Sequence, residues 1–171
     1  MKKRIMTCFT GIVSFGFGFF LGGKMLVGMI NDYKLRMEHN LSNMMLLNDW
    51  LEFLYSGGEL TQYFQEHQYN QVMIYGNGYI GKRLCQALAK TEIKVTAIMD
   101  KIASSNSEEV IGVDAKIPDA DCIVVTPMFY YNEIFAMLRE KTEKPIIPIQ
   151  SIWEDRKVNL GNTAKECDMN E

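Results

Sequence analysis

The spacing of apolar residues changes character along this chain, and each spacing predicts a different element. From Ile5 to Gly23 no ionisable side chain except Cys8 interrupts the run, and apolar character resumes after Lys24 as far as Ile30. At about 1.5 Å per residue, such a stretch approaches the ~30 Å hydrocarbon thickness of a bilayer. Residues 1–30 are therefore read as a transmembrane helix. Between Asp32 and Tyr55 the residues Leu41, Met44, Met45, Leu47, Leu51 and Leu54 recur three and four apart, with Glu38, Asn43, Asn48 and Glu52 between them. That is a helical period. Gly57 and Gly58 should end this helix, and a second short helix is expected over 59–68, so residues 31–69 form an amphipathic helical linker. Met44, Trp50 and Phe53 either form a dimer seam or dock on the following domain. Docking is the expectation, because a small domain must cover every apolar face it has.

Beyond Gln71 short apolar runs alternate with helical patterns. Strands are predicted over 71–75, 94–99, 110–113, 122–126 and 146–149, and helices over 79–90 and 130–141. This is the cadence of a parallel sheet with crossover helices. Pro145 and Pro148 cannot donate to a ladder, which puts the last strand at an edge, as in the order 3-2-1-4-5. The predicted fold class is α/β, a small Rossmann-like parallel sheet over residues 70–153 preceded by the transmembrane helix and the linker. The loop Ala103 to Glu109 and the polar tail 154–171 lack any pattern and are expected to be mobile.

One motif carries chemistry. Gly76-Asn77-Gly78-Tyr79-Ile80-Gly81 follows the apolar run Val72 to Tyr75 directly, and Asp100 ends the next apolar run. A dinucleotide fingerprint needs glycine three times: for the tight strand-to-helix turn, for the approach of a pyrophosphate, and for close packing of helix on strand. Gly76, Gly78 and Gly81 match, and the amides of Tyr79, Ile80 and Gly81 would offer donors at the positive end of a helix. Asp100 would accept from a ribose diol and oppose a 2′-phosphate, which favours NAD or a nucleotide-sugar over NADP; its other reading is a cap for the following turn. Thr126, at the end of the fourth strand, is a candidate for ribose or phosphate contact, and Tyr130 or Tyr131 for stacking. Packing of both tyrosines on the following helix is the alternative. The same segment fits G-x-x-x-x-G-K, but Arg83 stands where a P-loop needs Ser or Thr for magnesium.

Composition narrows the partners. The 171 residues are 47% hydrophobic and carry a formal charge of −3, with no basic stripe interleaved with aromatics, so nucleic acid is not an expected partner. Cys8, Cys85, Cys122 and Cys167 are widely spaced and form no C-x-x-C, which suits free thiols rather than a zinc site. His39 and His67 have no companion at ligand spacing, so no metal is expected. At the N-terminus, Met1-Lys2-Lys3-Arg4 also resembles a signal-peptide n-region, but no small-x-small cleavage site follows the apolar run, which favours a retained anchor. Thr10, Ser14, Gly18 and Gly22 repeat every four residues and would let two such helices pack closely as a homodimer. Basic residues flank the span on both sides, so orientation rests on the need for nucleotides. That argument places the domain in the cytoplasm, below a single-pass anchor in the cell membrane.

The residues Val72 to Asp100, together with Ile123-Val124-Val125-Thr126-Pro127, resemble the compact Rossmann-like modules of bacterial surface-polysaccharide loci. They are similar to the N-terminal sugar-nucleotide-binding domain of sugar acetyltransferases of the sialic-acid and bacillosamine type. The resemblance covers roughly residues 59 to 153 and implies a nucleotide-sugar ligand and glycan-synthesis partners. In that family a left-handed β-helix holding acetyl-CoA follows the module. This chain has no hexapeptide repeat, so acetyl transfer is not implied. Nor does the domain hold a Tyr-x-x-x-Lys pair for proton transfer. The expected function is a membrane-anchored, non-catalytic binding module for NAD or a nucleotide-sugar; the alternative is a small NAD-dependent oxidoreductase or epimerase.

Overall fold

The computed structural model describes residues 2–102 and 110–154, with side chains from Gly23 onward. The chain divides into two compact units, Met1–Leu41 and Ser42–Glu171. The first unit is helical backbone belonging to α1, whose bounds are Lys2–Tyr55. Its described apolar side chains, among them Met25, Val27, Ile30 and Met37, are all exposed. No helix among the described residues is long and apolar enough to cross a membrane. The expected span at 1–30 has most of its side chains outside the described residues, as do Thr10, Ser14, Gly18 and Gly22. The loop 103–109 and residues 155–171 also lie outside them.

The second unit is built on five strands, β1 Gln71–Tyr75, β2 Lys94–Asp100, β3 Val110–Gly112, β4 Cys122–Val125 and β5 Ile146–Pro148. All neighbours pair in parallel in the order β3-β2-β1-β4-β5. This is the order expected from the prolines, and Pro148 does sit on an outer strand. Each strand's side chains alternate between two cores. Val72 and Ile74 face one core with α2 (Leu60–Glu66) and α3 (Tyr79–Leu88), while Met73 and Tyr75 face the other with α4 (Tyr131–Arg139). An extra residue in β2, Thr96, breaks the register between Val72 and Met73, and its hydroxyl reaches the Val72 carbonyl at 3.4 Å. The starts of β1 and β4 are tied by the Asp121 carboxylate, which accepts from the Asn70 and Gln71 amides at 2.7 and 2.8 Å.

The helical linker does not behave as a linker over its whole length. Leu46, Trp50 and Phe53 of α1 are buried in the same core as Val72, Leu84 and Trp153, and the Trp50 ring stacks on Trp153 at 6.0 Å. Docking is thus correct for Trp50 and Phe53, but Met44 lies on the other side of the helix and is 67% exposed. The second compact unit begins at Ser42, and this part of α1 adds its apolar side chains to the core that also holds residues of α2 and α3. The helix ends as the glycines suggested. The Gly58 amide bonds the Phe53 carbonyl at 2.9 Å, and Gly57 takes the left-handed conformation at φ +82° that this closure requires.

Cys122 is fully buried in β4, and burial, with Asp121 beside it, pushes its thiol from 9.0 up to about 12. The folded chain holds this proton where the unfolded chain releases it, so Cys122 makes stability fall as pH rises from about 9 toward 12. In the native protein at pH 8 Cys122 should resist iodoacetamide, and should be alkylated only after denaturation. Mass spectrometry of labelled peptides reads this out; rapid native labelling would show β4 to be open.

Candidate functional site

The glycine segment leaves the carboxyl end of β1 and turns into α3, and its three glycines answer to three different constraints. Gly76 continues the ladder, its amide donating to the Met99 carbonyl at 2.8 Å, and then reverses the chain at φ +107°. A Cβ there would also meet Thr126 Oγ1 at 2.6 Å and the Pro127 ring at 2.9 Å. At Gly81 a Cβ would collide with the Gly76 carbonyl oxygen, so glycine lets the first turn of α3 close on the strand end. Gly78 is different. Its φ of −74° and ψ of −170° suit any residue, and a Cβ there would meet no atom of the described residues within 4 Å. The fold requires two of the three glycines and leaves the third facing open space.

Gly78 is also the N-cap of α3, and it offers no side chain to satisfy the first-turn amides. Those amides have no acceptor within the helix by geometry, and they carry the positive end of its dipole. Tyr79 is 61% exposed beside them, with the Arg83 guanidinium 5.0 Å above its ring, while the Ile80 side chain is buried in the core. Backbone donors are therefore the chemistry this turn presents.

Asp100 faces the turn. One carboxylate oxygen accepts from the Asn77 amide at 2.6 Å and the other from the Ile102 amide at 2.8 Å. The carboxylate closes the turn after β2, as the capping alternative has it, and it also sits at the glycine loop. Each oxygen keeps a second lone pair for a hydroxyl. Thr126 departs from expectation. It is 3% exposed, and its hydroxyl donates inward to the Tyr75 carbonyl at 3.1 Å, with the Gly76 carbonyl at 3.4 Å. With these bonds Thr126 holds the Gly76 turn. Tyr131 is likewise structural. Its hydroxyl donates to the Ile146 carbonyl at 3.2 Å, and burial raises its pKa.

A cleft of about 540 Å³ opens at this end of the sheet, and its walls include Tyr75, Asp100, Lys101 and Val113 on one side. Pro127, Tyr130, Glu133, Ile134 and Met137 complete it. The size and the mixture of apolar walls with a few polar groups suit a small organic ligand. Tyr130, Ile134 and Met137 recur at helical spacing, the pattern in the sequence that marks a wall of this kind. Tyr75, Val113 and Glu133 had no such signal, because only the sheet order brings them together. Burial, and then the negative charge of Asp100, raise the Tyr75 pKa. Among the described residues no three His, Cys, Asp or Glu side chains converge as a metal cluster would. No family model, curated protein or solved structure matches this chain.

Proposed function

We propose that this chain is a membrane-anchored, non-catalytic module that binds NAD or a nucleotide-sugar at the glycine turn and the adjoining cleft. The observation that carries the reading is Gly78. Nothing in the fold asks for a glycine there, and what it leaves bare is the approach to the first-turn amides of α3. A diphosphate accepting from those amides explains the missing side chain. The nucleoside would lie in the cleft, with its ribose hydroxyls on the free lone pairs of Asp100 and its base between Pro127 and Tyr130. Lys101 at the same rim would temper the repulsion that Asp100 exerts on a 2′-phosphate.

The anchor is the apolar stretch at 1–30, and the nucleotide requirement puts the domain on the cytoplasmic side. Envelope-polysaccharide synthesis is the setting that the resemblance of residues 59–153 suggests.

A panel of NAD, NADP, UDP-sugars and CMP-sugars against the full chain in detergent tests the reading. Trp50 and Trp153 stack in the core, so intrinsic fluorescence reports unfolding. A true ligand at about a hundredfold excess over Kd should add about 2.7 kcal/mol of stability. For a domain of this size that raises the melting temperature by roughly 10 °C or more. A panel without any shift would remove the proposal.

A further inference from the structure

Two opposite sides of α1 have different fates. Leu46, Trp50 and Phe53 are buried in the domain's own core, whereas Met44, Leu51 and Tyr55 are 51% exposed or more. With about 100° per residue, the second set and Asn48 fall on one line facing away from the first. Their spacing is not simply helical. Leu41, Met44, Asn48, Leu51 and Tyr55 alternate three and four apart, and upstream Ile30, Lys34 and Met37 continue the alternation without a break. A helix lying on its own globular domain follows a period of about 3.6, but a strict seven-residue repeat holds its face only toward another supercoiled helix.

We propose that this face of α1 is the seam of a parallel two-stranded coiled coil formed with a second copy of this chain. Asn48 identifies the occupant. It is exposed at an inner position of the repeat, and its carboxamide carries a donor and an acceptor, which the same residue of a second copy satisfies across a two-fold axis. An asparagine at such a position fixes register and favours a two-stranded parallel pair. Lys34 is a second polar residue on the line. It is mostly exposed and lies 3.9 Å from Glu38 one turn on, so its ammonium can stay in water beside an acid. In this register Glu52 faces Leu47 of the other copy, and Glu38 faces Tyr33, so the flanking positions oppose no like charges. The inference is independent of the nucleotide reading.

The test is the mass of the full chain in detergent, by sedimentation with the detergent contribution subtracted. The wild type should be a dimer at micromolar concentration. Met44→Lys with Leu51→Lys should weaken the dimer on the order of a hundredfold, because two desolvated apolar contacts become charges at the seam. Both residues are exposed in the single chain, so the melting curve of the domain should barely move. Independently, Asn48→Cys in a Cys8→Ser, Cys167→Ser background should give a covalent dimer on mild oxidation, and Ser42→Cys should not. A monomeric wild type would overturn the proposal and leave the face to a different protein. A dimer that survives the double lysine variant, or cross-linking from residue 42 as fast as from 48, would also overturn it.

Discussion

Gly78→Val should abolish the ligand-dependent rise in melting temperature and leave a folded protein. A Cβ at this position meets no atom of the described residues within 4 Å, at a backbone conformation open to valine. The cost to the ligand-free fold should be limited to a poorer helix N-cap, about 1 kcal/mol or less. The loss of binding should be large, because the branched side chain stands where a diphosphate would meet the α3 amides. Gly81→Ala gives the opposite result. Its methyl group collides with the Gly76 carbonyl, so the apo protein should melt several degrees lower whatever ligand is present. Thermal unfolding of both variants, with and without the best ligand of the panel, separates a site from a turn. If Gly78→Val binds as well as the wild type, the ligand lies elsewhere.

Trp50→Ala should cost about 3–5 kcal/mol, a large part of the 5–15 kcal/mol that holds a typical domain together. The ring is 6% exposed, stacks on Trp153 and fills the core between α1 and the sheet. Leu51→Ala, one residue on and 51% exposed, should change stability by about 0.5 kcal/mol or less. Urea denaturation followed by far-UV circular dichroism measures both without relying on the missing indole. The same packing predicts that a fragment beginning at Glu59 fails to fold, since it loses Leu46, Trp50 and Phe53 together. Equal stabilities for Trp50→Ala and wild type would mean that α1 is dispensable to the domain.

The two central strands, β1 and β4, were readable because their burial is nearly complete. Cys122 to Val125 and Val72 to Tyr75 are short apolar runs ended by turn residues, and each became a strand within a residue of the expected bounds. The glycines of the turn were also legible, since their spacing is dictated by main-chain geometry. What the sequence hid were contacts between distant segments. Thr126 finds its acceptors about fifty residues upstream, and Asp100 spends a lone pair on the Asn77 amide, twenty-three residues away. The helix before the sheet was legible in part, since Trp50 and Phe53 meet the core as expected while Met44 does not. A helical repeat of apolar residues shows that a face will be covered, but it does not say by what, and α1 has two such faces.

The rim of the sheet carries one more implication. β3 and β5 span three residues each, and β5 ends in Pro148, which has no N–H to give. A stray extended peptide would find almost no template at either border. Such short borders guard this domain against fibril growth and strand exchange.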